Sequence, residues 1–184
     1  MRNGYTLTEI LVVVGLIAVV GTILTQIFFQ TLKGGNQAKV LAEIKQNGLS
    51  ILETMDKNIR NADGIVCISD LGDALVINNQ GVNTRYRFNP PRPSDKPTSN
   101  GFIYQDQGNN CDLIVPLTEP PLNAKLLTNF DAQEGISVLN GKFSLDIKYG
   151  FKDVLTISFE IRPGEKAVYK AIDPVPFSTT IQLR

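Results

Sequence analysis

From Ile10 to Phe29 the chain reads ILVVVGLIAVVGTILTQIFF, with no ionisable residue inside the stretch. A helix of about 20 residues rises roughly 30 Å, the thickness of a bilayer's hydrocarbon core. Few soluble domains place so many consecutive apolar residues in one element. The run therefore predicts a transmembrane helix over residues 5–29. The chain has 184 residues and is 42% hydrophobic, so the remainder suffices for one globular domain with its own core.

The helical period continues beyond the run. Val40, Leu41, Ile44, Gly48, Ile51, Leu52, Met55 and Ile59 recur on one stripe. Lys39, Glu43, Lys45, Gln46, Glu53, Asp56 and Lys57 occupy the other faces. This pattern describes a helix with one buried side. We expect a single helix from about Thr6 to Asn61, apolar all round in its first half and two-faced over residues 30–62. Gly34-Gly35 near the join costs about 1 kcal/mol per Gly relative to Ala. It reads either as a short break or as a built-in soft point.

Asn61-Ala62-Asp63-Gly64 reads as the helix stop, and the period then changes. Short β-branched and aromatic runs at Ile65–Ile68, Ala74–Asn78, Thr84–Asn89, Gly101–Gln105 and Asp112–Val115 are separated by Gly, Asn, Asp and Pro. A second set covers Ile136–Asn140, Lys142–Tyr149, Val154–Ile161 and Thr179–Leu183, with Gly150–Asp153 suited to a tight hairpin. Asn89–Gly101, with four prolines, and Arg162–Pro176, with three, read as surface loops. The expected fold class is α+β. A long N-terminal helix, a membrane span continuing into an amphipathic half, packs on an antiparallel β-sheet domain over residues 63–184.

Composition removes several function classes. Lys+Arg and Asp+Glu both number 18, so no net positive charge marks a nucleic-acid binder. The chain has no His, the commonest general base and metal ligand. No nucleophile elbow, phosphate-binding loop or CxxC pair is present, and we expect neither catalysis nor a cofactor. Asp106, Asp112, Asp131 and Glu134 lie in or near expected loops, but their spacing fits no EF-hand, so they read as solvated carboxylates and no metal is expected. Arg85, Arg87, Arg92 and Lys96, interleaved with Tyr86 and Phe88, could contact DNA; a half-exposed strand accounts for them more simply. Cys67 and Cys111 form either a disulfide or two buried thiols, and an extracytoplasmic domain favours the bridge.

Glu9 is the residue that apolar anchoring alone does not explain. It stands against the span, where an ionised carboxylate costs several kcal/mol unless paired. Before it lies Met1-Arg2-Asn3-Gly4-Tyr5-Thr6-Leu7-Thr8. A cut between Gly4 and Tyr5 would create an α-amine four residues before Glu9. That cation can neutralise the carboxylate within the chain or on a neighbour alongside, fixing the stagger of adjacent subunits.

The string Gly4-Tyr5-Thr6-Leu7-Thr8-Glu9, followed by a long apolar run, resembles the cleavage and methylation signature of type IV prepilins and pseudopilins. It covers about the first 30 residues, within the length of a bilayer-spanning helix and its flank. The resemblance implies that residues 1–4 form a leader and that a prepilin peptidase cuts after Gly4 and N-methylates Tyr5. It implies that Glu9 recruits and registers subunits. The family usually has Phe where Tyr5 stands, a departure that bears on methylation more than on cleavage. Asn47–Ile65, the β-rich body and the ending Phe177–Arg184 are similar in pattern to J-type minor pseudopilins and related minor pilins. The implied partners are the peptidase, other pilin or pseudopilin subunits, an inner-membrane assembly platform and membrane lipid, with no nucleic acid expected. The implied location is the cytoplasmic membrane, single-pass with Arg2 inside and the domain outside, then the filament. The alternative is a membrane-anchored extracytoplasmic binding module with an uncleaved signal anchor, or a secreted chain cut after its apolar run. Against the last, no small-residue cleavage site follows Leu24.

Overall fold

The computed structural model describes residues 6–91, 100–112, 117, 119–129, 131, 135–147, 149–150, 152–164, 166–167 and 172–183. One helix, α1, runs unbroken over Leu7–Arg60. Eight strands follow: β1 Gly64–Ile68, β2 Ala74–Asn79, β3 Val82–Asn89, β4 Phe102–Gln107, β5 Lys125–Leu126, β6 Ile136–Asp146, β7 Val154–Pro163 and β8 Val175–Gln182. The chain falls into two units, residues 1–39 and 40–184. Gly34 and Gly35 do not break α1, so the first of the two readings of this pair is not what the helix adopts.

In the second unit the strands form two antiparallel sheets, one of five strands in the order β1-β2-β3-β4-β5 and one of three in the order β6-β7-β8. Neighbouring strands follow one another in sequence, as short connections favour. The helical part of this unit ends as its sequence suggested. Asn61 and Ala62 close the last turn through bonds to the Lys57 and Ile59 carbonyls. Lys57 and Arg60 sit in that turn, where positive charge complements the helix C-terminus.

Ile44, Gly48, Ile51, Leu52, Met55 and Ile59 are the buried residues of α1. They pack with Leu75, Ile77, Tyr86, Phe88 and Ile103 of the five-stranded sheet and with Phe143, Leu155, Ile157, Phe159, Phe177 and Ile181 of the three-stranded one. Gly48 is required by close approach. A Cβ there would fall inside van der Waals distance of the Phe177 ring. Phe88 of β3 meets Phe143 of β6 at 4.7 Å and Phe159 of β7 at 5.7 Å, so aromatic pairs join the two sheets, and Phe159 stacks on Phe177 within the three-stranded one at 5.5 Å.

The expected runs at Ile136–Asn140 and Lys142–Tyr149 are one strand, not two. β6 passes through both with a register shift between Leu139 and Lys142. Asn140 takes φ 51°, a conformation open to Asn, and a Cβ on Gly141 would collide with the Phe88 ring. β8 begins at Val175, four residues before the expected Thr179, and β7 runs to Pro163, so the loop between them is shorter than Arg162–Pro176. The two-residue β5 carries no alternation and was not expected. The expected run Asp112–Val115 lies outside the described residues after Asp112, as does most of the Asn89–Gly101 loop.

Candidate functional site

In the first unit, the start of α1 is capped. Thr6 precedes the helix; its carbonyl accepts from the Glu9 and Ile10 N–H groups at 3.1 and 3.3 Å. Its hydroxyl oxygen accepts a second, 3.3 Å bond from Glu9 N–H. Thr6-Leu7-Thr8-Glu9 therefore has the spacing of a capping box, a Thr followed three residues later by Glu. The Glu9 carboxylate also sits in the first helical turn, where the positive end of the helix dipole favours an anion. The T-x-x-E string of Thr6–Glu9 is the sequence signal for this cap. Gly4 and Tyr5, the residues of the expected cleavage, lie outside the described residues.

Beyond Glu9 the helix is apolar on every side. The large hydrophobic residues from Leu7 to Leu32 are between 48% and 79% exposed, so they bury nothing within this chain. A surface of that kind is tolerated only where lipid or another protein covers it. The three threonines between Val19 and Leu32 are internally satisfied. Thr22, Thr25 and Thr31 donate their hydroxyl protons to the Val19, Gly21 and Ile27 carbonyls at 2.8, 2.8 and 2.9 Å. Back-bonding of this kind lets a hydroxyl lie in hydrocarbon without an open donor. The helix is long and apolar enough to cross a membrane.

In the second unit, the outer surface of the five-stranded sheet holds the other residues singled out by sequence. Cys67 on β1 and Cys111, beyond β4, are joined as a disulfide with Cα atoms 6.1 Å apart. Between β4 and this bond the chain crosses back over the sheet as a strap. Gly108 N–H donates to the Asn83 carbonyl at 3.4 Å, Asn83 Nδ2 donates to Asn109 Oδ1 at 2.9 Å, and Arg85 Nη1 donates to the Asn110 carbonyl at 3.0 Å.

Under this strap the basic cluster is internally engaged. Arg85 bonds Asp106 through both Nε and Nη2, at 2.8 and 2.5 Å. Arg87 Nη2 bonds Asp73 Oδ2 at 3.2 Å and is 4% exposed. The Asp106 hydrogen bond raises the Arg85 pKa above its ordinary value. Two corrections follow. Asp106 is not a solvated carboxylate; it lies one residue from the end of β4, is largely buried and faces Arg85 across the β3–β4 pair. Arg85 and Arg87 do not form a half-exposed basic face, and their charges are directed at carboxylates of the same domain. Arg92, Lys96 and Glu134 lie outside the described residues. Asp112 and Asp131 donate backbone N–H groups to Asn110 and Asn129 side chains, as turn residues do.

Comparison with protein-family models, with curated proteins and with solved structures finds no match. The functional reading therefore rests on the geometry of α1 and on the motif at its start.

Proposed function

We propose that the chain is a structural subunit, a minor pilin or pseudopilin, of a type IV pilus or type II secretion filament. One observation carries the reading: an apolar helical surface exposed on all sides begins at a carboxylate, Glu9. Lipid alone would account for the apolar surface. It gives no reason for an anion at its edge, whereas a bundle of like helices does, because a neighbour's terminal amine can pair with it. In this mechanism a prepilin peptidase removes Met1–Gly4 and methylates Tyr5. Residues 5–29 then leave the membrane and enter a helical bundle, where surfaces that faced lipid face other subunits. The domain of residues 63–184 stays outside the cytoplasmic membrane and contacts partner subunits. An assembly platform in that membrane supplies the site of insertion. The internal ion pairs of Arg85 and Arg87 weigh against capture of DNA on that face.

Glu9 has two roles to separate, cap and charge. Glu9→Gln keeps the capping box and removes the anion. We expect it to be cut after Gly4 as the parent is, and to be lost from sheared filaments to the same degree as Glu9→Ala. Filament incorporation of Glu9→Gln at the parental level would refute the ion-pair mechanism and leave Glu9 a cap. Sequencing the mature N-terminus tests the processing step. A start at Tyr5 supports it, while a start at Met1 favours the uncleaved anchor and a start near Gln26 a secreted chain.

A further inference from the structure

The helix-facing side of β3 and β4 continues past the part that α1 covers. Tyr86 and Ile103 mark that side, since both belong to the core beneath the helix. Residues two apart on a strand, and partners across a strand pair, share a face. Gln105 is the partner of both Tyr86 and Lys125, and Gln107 is the partner of Thr84. Thr84, Gln105, Gln107 and Lys125 therefore stand on one face, contributed by three strands. The chain enters β5 from a turn in which Ala124 N–H donates to the Pro121 carbonyl at 2.9 Å. That turn sets Leu122 and Asn123 beside the same four residues. Together they line a cleft of about 560 Å³, within the roughly 300–1,000 Å³ of ligand sites.

A polar side chain on a surface is normally solvated, and none of these would matter singly. Here they converge on one concavity and are unengaged. Among the described residues, no hydrogen-bond partner meets the side chains of Thr84, Gln105, Gln107, Asn123 or Lys125. Amides elsewhere in the same sheet, those of Asn78, Asn83 and Asn89, are all bonded within the chain. Asp106 also borders the cleft, but Arg85 holds its carboxylate. Lys125 is then the one charge that the lining residues leave for a ligand.

A primary amide presents a donor and an acceptor side by side. Two hydroxyls on adjacent carbons of a sugar ring match that pair. The C–H face of the ring matches Pro121 and the fully exposed Leu122. A peptide anchors through buried aromatic or Arg side chains, for which this cleft has no deep apolar pocket. A single-stranded nucleic acid stacks on aromatic rings, and none lines it.

We propose that the cleft binds an acidic oligosaccharide. The amides of Gln105, Gln107 and Asn123 meet ring hydroxyls, Pro121 and Leu122 lie against a ring face, and Lys125 pairs with a uronate carboxylate. The site belongs to the second unit alone and does not rest on cleavage at Gly4.

NMR titration of the full-length chain, held in a phosphocholine detergent that carries no sugar, tests it. The probes are a trimer of galacturonic acid, the methyl ester of that trimer, and an uncharged peptide of Ser and Gly. We expect the acid to shift the side-chain amide resonances of Gln105, Gln107 and Asn123 saturably at millimolar concentration. Lys125→Gln should weaken binding of the acid several-fold and leave that of the ester unchanged. Gln105→Leu should weaken both sugars several-fold, and Asn123→Ala, on the exposed turn, repeats that test away from the sheet. No saturable shift at millimolar trimer, or shifts centred outside the cleft, would overturn the proposal. So would an affinity for the acid indifferent to Lys125→Gln, or equal binding of the peptide.

Discussion

Tyr86 is buried beneath α1, where its hydroxyl oxygen accepts a 2.7 Å bond from Asn58 Nδ2. Burial raises its pKa above the usual tyrosine value of about 10, and the Asn58 bond offsets part of that rise. The sign follows. A group with a raised folded pKa contributes stability that is complete below the unfolded pKa and lost as pH rises through the folded one. Tyr86→Phe should therefore cost about 1 kcal/mol at pH 7, through the lost bond, and the deficit should narrow above pH ~10. Denaturant titrations at pH 7 and pH 11 measure both arms. Arg85 and Asp106 make a second residue-scale prediction. Asp106→Ala leaves a largely buried guanidinium without its main partner and should cost roughly 3 kcal/mol or more, read in the same titration. Neither pairing was legible beforehand. A sequence shows that residues 85 and 106 bear opposite charges; only the β3–β4 register places them opposite each other. Glu9 was legible because its oddity is local, a charge beside a run of apolar residues.

Among the elements, α1 was readable almost to the residue. Its apolar run, its stripe and its stop are each local signals, and every fully buried residue of Val40–Arg60 falls on the expected stripe. Strands β1 to β4 of the five-stranded sheet were visible by composition, although β2 is buried on both faces from Ala74 to Ile77 and so shows no alternation, and the two-residue β5 was not visible. β6 was misread as two strands because Asn140-Gly141 looks like a turn. The Phe88 ring decides otherwise, occupying the space a side chain at 141 would need. At Gly48 two effects oppose. Ala would gain about 1 kcal/mol in helix propensity, but its methyl overlaps the Phe177 ring and overpacking of that kind costs roughly 1–3 kcal/mol. We expect Gly48→Ala to lower the melting temperature and Gly48→Ala with Phe177→Leu to recover part of the loss.

For the whole molecule, the α+β architecture followed from the sequence, whereas the division into two sheets did not. Which strands share a sheet depends on pairings distant in sequence, and the strap over the outer face is fixed by a bond between residues 44 apart. Closing a loop of that length corresponds to about 4 kcal/mol of unfolded-state entropy at 25 °C. The Cys67→Ser, Cys111→Ser double variant should be destabilised by roughly 2–4 kcal/mol, measured against the parent without reductant. The long apolar N-terminal helix is compatible with a membrane anchor, and the full chain should require detergent for extraction.

The Gly48–Phe177 contact also imposes an order in time. The stripe on α1 is synthesised well before two of the residues that cover it, Phe177 and Ile181. A chain emerging from its N-terminus can cover part of the stripe with Leu75, Ile77, Tyr86, Phe88 and Ile103, but the rest stays open until β8 is made. The cover over Gly48 is complete only when β8 arrives. Contacts between such distant residues slow folding, so the interval before β8 docks is when the chain is most exposed to proteolysis and to unintended partners.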